Sequence, residues 1–297
     1  METLAEGYGL VEGPLWDDQR GLVFSDVLAG GVYVLGEDGR VATLFPHRKG
    51  IGGMVQHVEG GMVVSGREIS FKPYPGTAGD AATTVPLLHR DPANGNVGYN
   101  DITADARGRI YAGYLGNSPV FADGRAAADG GLFLIDVDGR ARQVASGIGL
   151  TNGLGFSPDG HVLYHADSRV RTVWRYDVAG DGSLSSRVPF VTTEVGVPDG
   201  LAVAIDGSVW VALAGGGHGV AVFSPDGTQR DFLRIPVPMC TSLCFGGTDL
   251  FDLFVVSGSE GSGRERGGGV YRQRVDVPGL PVPVARVRLP RQAAAAG

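Results

Sequence analysis

Six short stretches of the sequence can be laid over one another: EGPLW from residue 12, GGMVQ from 52, NDITA from 100, NGLGF from 152, DGLAV from 199 and TSLCF from 241. Their first positions are Glu12, Gly52, Asn100, Asn152, Asp199 and Thr241: two carboxylates, two amides and a hydroxyl, with no Lys, Arg or Cys. Carboxylates brought together repel one another and lose solvation unless something neutralises them. An all-oxygen donor set suits one hard divalent cation, Ca²⁺ first, with Mg²⁺ or Mn²⁺ next and Zn²⁺ less favoured for want of His or Cys. The plainer alternative is that such residues only cap strands or accept backbone hydrogen bonds. Four of them at matched places favour the metal.

What would bring these positions together is a repeat. The runs LVFSD (22–26), MVVSG (62–66), RIYAG (109–113), VLYHAD (162–167), VWVAL (209–213) and LFVVSG (253–258) look alike, and their starts lie 40, 47, 53, 47 and 44 residues apart. Each follows one of the six stretches above, and strand-like residues punctuated by Gly and Asp-Gly dominate throughout. A period in the forties with several strands per unit is the signature of a β-propeller blade. The fold expected is all-β, a six-bladed propeller with four-stranded antiparallel blades around a central channel. It would occupy residues 1–290 as one domain, with a disordered Ala-rich tail at 291–297. A two-domain α/β reading would need amphipathic helices between the strands, and the sequence has none. The first strand of each blade lines the channel, so equivalent positions converge at one end of the axis.

The tripeptide Pro-Asp-Gly occurs at 158–160, 198–200 and 225–227. The first and third copies fall between two strands, where Asp-Gly is a hairpin signal. The second opens an innermost strand, in register with Glu12, Asn100 and Asn152, and the hairpin of that blade is supplied instead by Asp206-Gly207.

The stretches VEGPLWDDQRGLVFSDV, YNDITADARGRIYAG, LTNGLGFSPDGHVLYHADS, VPDGLAVAIDGSVWVA and CTSLCFGG, taken in order, resemble the successive motifs of the regucalcin (senescence marker protein)/gluconolactonase family. The resemblance implies a six-bladed propeller with one divalent metal at the channel mouth, and in many members lactone hydrolysis. Carried over by motif, it implies Glu12, Asn152 and Asp199 as metal ligands, Asn100 facing substrate or water, and Asp199 as general base. Where sugar lactonases of the family commonly carry an Arg two positions before that Asn, this chain has Gly98. A donor for hydroxyl-rich substrates is then missing. The position five residues after Asp199, often Asp in the family, is Ala204.

The expected activity is therefore metal-dependent opening of a small cyclic ester. Three alternatives share the site: an organophosphate or phosphoester hydrolase, a specialised secondary-metabolism enzyme acting on an unusual cyclic substrate, and a non-enzymatic calcium-binding propeller. Loops 71–84 and 115–130 are expected to select the substrate. A net charge of −7 argues against nucleic acid. No run approaches the roughly 18 apolar residues of a membrane span. METLAEGYGL lacks a secretory pattern, so a cytoplasmic protein is expected. Cys240 and Cys244 fit a half-buried strand without a partner pair for zinc. The histidines at 47, 57, 89, 161, 165 and 218 have no metal-ligand spacing, and no Gly-x-Ser-x-Gly elbow is present. The oligomeric state is left open.

Overall fold

The computed structural model describes residues 1–46, 48–76, 84–121 and 124–290. Its strands form six antiparallel four-stranded sheets arranged as propeller blades. The innermost strands are Val11–Asp17, Met54–His57, Gly98–Ala104, Thr151–Phe156, Val197–Val203 and Cys240–Gly246, which define blades 1 to 6. The expected tail at 291–297 lies outside the described residues.

The Asp-Gly pairs between strands are turns, for the reason their chemistry suggests. Gly160, Gly207 and Gly227 hold φ of 72°, 80° and 86°, a left-handed conformation that glycine adopts without a Cβ clash. The preceding aspartates fold back on their own backbone: Asp159 Oδ1 accepts from His161 N at 3.0 Å, Asp206 from Ser208 N at 2.9 Å and Asp226 from Thr228 N at 2.9 Å.

Blades pack face to face through apolar residues that alternate along each strand. Between blades 5 and 6 the packed set includes Trp210, Val222, Leu243, Phe245, Leu253 and Tyr271. Between blades 2 and 3 it includes Val55, Ile69, Tyr99, Ile102 and Ile135. Each such side chain contributes roughly 1.5–3 kcal/mol on burial. Cys240 and Cys244 are free and buried, on a strand that is buried at all seven residues where their spacing suggests a half-buried one.

Two features close the ring. Glu2–Tyr8 is the outermost strand of blade 6, paired antiparallel with Gly268–Arg274. A C-terminal strap then crosses the lower end of the channel, running from blade 5 to blades 2 and 3. Leu280 N donates to Val203 O (2.9 Å), Ala285 N to Gln56 O (2.8 Å) and Arg286 N to Gly108 O (2.8 Å). Buried His57 fastens it, donating from Nε2 to Val287 O at 2.8 Å while Nδ1 accepts from Glu59 N. Burial holds this imidazole below its ordinary pKa, matching the neutral tautomer that both bonds require.

The inner strands approach so closely that glycine is required where they face one another. A Cβ on Gly153 would lie 2.6 Å from Asp199 O and against Leu201 N, backbone atoms that have nowhere to go. Gly153→Ala is expected to cost about 1–3 kcal/mol and lower the thermal midpoint by several degrees. Gly180→Ala, where a Cβ meets nothing within 4 Å, should leave it nearly unchanged. Thermal unfolding of both variants checks this.

Candidate functional site at the channel mouth

The inner strands carry a repeated irregularity at one level. In blade 1, Glu12 and Leu15 pair with Ser25 and Val23, so three steps on the inner strand oppose two on its neighbour. The same extra residue lies between Tyr99 and Ile102, Thr151 and Leu154, and Pro198 and Leu201, and a matching shift lies between Cys240 and Ser242. Such bulges bend a strand and re-aim its side chains, and are common beside functional sites. Here they stack around one axis, at the residues singled out in the sequence.

Glu12, Asn100, Asn152 and Asp199 all line one cavity of about 850 Å³ at the upper mouth of the channel. The other two members of the sequence alignment bring no donor side chain to it, although Gly52 lines it with its backbone. Gly52 has no side chain, and Asn100 fills the space one would take. Thr241 is fully buried, its Oγ1 donating to Val11 O at 2.6 Å. It ties blade 6 to blade 1.

Hydrogen bonds fix the amides. Ser168 Oγ donates to Pro198 O at 2.6 Å, so it must accept from Asn152 Nδ2, also at 2.6 Å. That turns Asn152 Oδ1 inward, where it accepts from Asn100 Nδ2, which also donates to Thr151 O at 2.9 Å. Asp167, next to Ser168 in sequence, accepts from Gly149 N and Leu150 N at 2.9 Å each. It thereby anchors the chain entering the Asn152 strand. Asp26 does the same for Glu12, accepting from Gly9 N and Leu10 N.

The carboxylates are a different case. Burial raises the Glu12 pKa well above its ordinary value, and the charges of Asp199 and Asp101 add to the effect. Asp199, 7% exposed, is raised by burial and then by Asp101. Among the described residues no Lys, Arg or His pairs with either. The contrast within the three Pro-Asp-Gly copies is complete. Asp159 and Asp226 are held below the usual carboxylate range by hydrogen bonds from Ser157 and Thr228 and their neighbouring amides. Gly200, unlike Gly160 and Gly227, has no positive φ, and a Cβ on it would lie 2.6 Å from Ser242 Cβ.

Asp101 was not anticipated. Its carboxyl is pushed up to about 7 by burial, and it lines the channel below the mouth. The signal lay one column further along the aligned stretches, where Gly13, Gly53, Asp101, Gly153, Gly200 and Ser242 stand. Blade 3 alone carries a charged side chain there. Ser168 was likewise missed.

Gly98 lines the cavity, as do three cations that the sequence did not single out: Lys49, Arg67 and Arg90. Of loop 115–130, Leu115, Ser118, Pro119, Val120 and Phe121 line it, whereas none of the described residues of 71–84 does. Residues 77–83 and 122–123 of these loops, and His47, lie outside the described residues. His165 is a packed residue, wholly buried with Nε2 against Thr151 Oγ1 at 2.7 Å and its pKa driven down to about 3 by burial.

A model of the SMP-30/Gluconolactonase/LRE-like region matches residues 10–259. The chain belongs to that family. Its motifs from Glu12 to Asp199 fall inside the matched span. Among family relatives, a 6-deoxy-6-sulfogluconolactonase of Pseudomonas putida is 32% identical over 93% of this chain and 94% of its own. A pentonolactonase of Haloferax volcanii is 34% identical over 64% of this chain and 67% of its own. The fold matches that of a luciferin-regenerating enzyme with a TM-score of 0.85 and 25% identity, over 96% of this chain and 99% of the other. Among the described residues no helix is long and apolar enough to cross a membrane.

Proposed function

We propose that this member of the family is a cytoplasmic, divalent-metal-dependent lactonase acting on a small cyclic ester at the upper channel mouth. The observation that carries the reading is the pair of uncompensated carboxylates, buried Asp199 and half-buried Glu12, beside two oriented amides in one cavity. The lactonase relatives support the reaction class.

The donor chemistry fits a hard divalent cation. Glu12, Asn152 and Asp199 would hold it through side-chain oxygens, with Ca²⁺ favoured and Mg²⁺, Mn²⁺ or Zn²⁺ as candidates. Bound there, the ion supplies Lewis-acid polarisation of the ester carbonyl and lowers the pKa of a water. Asn100 orients water or substrate through its amide. Asp199 accepts the proton of the attacking water and returns it to the ring oxygen as the C–O bond breaks. Ser168 keeps the Asn152 oxygen inward by accepting from its Nδ2.

A panel of γ- and δ-lactones, followed by acid release with chelator and then with each metal added back, tests the proposal. Opening should vanish with chelator and return with the ion. If no cyclic ester opens with any divalent ion, the lactonase reading is wrong. Turnover of an organophosphate ester instead would move the same site to that chemistry.

A further inference from the structure

Six charged side chains line the mouth: Glu12, Asp199 and Glu260 on one account, Lys49, Arg67 and Arg90 on the other. Glu12 and Asp199 are the proposed metal ligands, so a bound divalent ion leaves the rim cationic, in a chain whose net charge is −7. The cations do not serve the fold. Elsewhere arginines find carboxylates, as in Arg109 with Asp105 at 2.6 Å, Arg272 with Glu2 at 2.7 Å and Arg230 with Asp206 at 2.9 Å. Among the described residues, Lys49, Arg67 and Arg90 engage none. The two acids beside them in sequence are otherwise engaged, Glu68 with His89 at 2.8 Å and Asp91 with Asn94 Nδ2 at 2.7 Å.

Lys49 and Arg90 come from the connections before and after blade 2 and Arg67 from the loop between its second and third strands, and Arg67 is the best fixed. Tyr99 N donates to Gly66 O at 2.7 Å, which seats the Gly66–Arg67 backbone against the strand that carries Asn100. A Cβ on residue 98 would lie 3.0 Å from Gly66 O and 3.7 Å from Arg67 Cα. Glycine at 98 therefore lets this loop close over the strand, with the Arg67 Cα in contact distance of the place a Cβ on residue 98 would take.

Guanidinium groups pair with carboxylate, sulfonate and phosphate oxygens in a fixed two-pronged geometry, and an ammonium adds a point charge. We infer that the physiological substrate is an anionic lactone, its carboxylate, sulfonate or phosphate seated on Arg67, Arg90 and Lys49 while its ester lies at Glu12, Asn100, Asn152 and Asp199. That the substrate is a lactone, with its ester at those four residues, rests on the lactonase reading, whereas the seat for its anion rests on Lys49, Arg67 and Arg90.

The test compares an aldonolactone neutral at C6 with its C6-carboxylate, C6-sulfonate and C6-phosphate counterparts, which separates the three anion sources. Kinetics are paired with calorimetric binding of the ring-opened acids, which needs no turnover. At least one anionic lactone should exceed the neutral one by 10-fold or more in kcat/KM. Arg67→Met should lower that anionic-over-neutral ratio by roughly 10–100-fold, chiefly through KM, as the loss of a charge-assisted contact implies. Arg90→Met and Lys49→Met should do the same in part, and keep the test open if Arg67→Met fails to fold. Equal use of neutral and anionic lactones by wild type, or a ratio untouched in all three variants, overturns the inference and leaves the lactonase reading intact. Anion-selective binding that depends on Arg67, with no lactone opened, upholds the cationic subsite and removes the lactonase reading.

Discussion

Asp199→Asn is expected to lose lactone hydrolysis by roughly 10³-fold or more, about 4 kcal/mol of barrier, while the metal-free protein becomes more stable. The two effects have one cause. Burial and the charge of Asp101 oppose ionisation of Asp199, so the charged side chain is a burden on the empty fold. A neutral amide of the same shape removes the burden, together with a proton acceptor and a charged ligand. The stabilisation that added Ca²⁺ gives wild type should shrink or vanish in the same variant. Asp226→Asn is the internal control, because that copy of Pro-Asp-Gly is an exposed hairpin whose aspartate bonds only its own turn. A variant that keeps wild-type activity, or that loses stability when metal-free, would refute the role given to Asp199.

The second large effect is on stability against pH. Glu12, Asp101 and Asp199 all have folded pKa values raised by burial, Asp101 from 3.8 to about 7. Above the unfolded pKa the native protein keeps protons that the unfolded chain has released. Raising pH through that window therefore weakens the native state, opposite to a salt-bridged carboxylate. For Asp101 alone the shift from 3.8 to about 7 corresponds to at most about 4 kcal/mol, present below pH 4 and lost as pH rises through 7. Chelator-treated protein should melt several degrees lower at pH 8 than at pH 5.5. A divalent ion needs these carboxylates ionised, so its stabilising effect should be largest at pH 8 and fade towards pH 5. A metal-free midpoint that stays flat or rises with pH would contradict the desolvated, uncompensated cluster. Melting curves across pH, with and without Ca²⁺, read both.

Much of this was legible in the residues because a propeller repeats. The period of the strand runs gives six blades, and position within the blade separates Asp199 from Asp159 and Asp226. What escaped the sequence is what does not repeat. Glu2–Tyr8 pairs with Gly268–Arg274 across nearly the whole chain, and local pattern carries no trace of a partner so distant. The strap past Val275 has no strand periodicity and is held by isolated backbone bonds to blades 2, 3 and 5. Asp101 was hidden by strand alternation, which puts neighbours on opposite faces, whereas the bulge between Tyr99 and Ile102 brings both Asn100 and Asp101 to the channel. Lys49, Arg67 and Arg90 sit in connections of irregular length, and only the closed ring gathers them.

A divalent ion held by Glu12, Asn152 and Asp199 is central to the proposed activity. The most direct measurement is an anomalous difference map from crystals grown with Mn²⁺. The expected result is one peak at the upper channel mouth with oxygens of Glu12, Asn152 and Asp199 at about 2.0–2.6 Å. A mouth without a peak at saturating Mn²⁺, or an ion there that none of these three side chains touches, would contradict it.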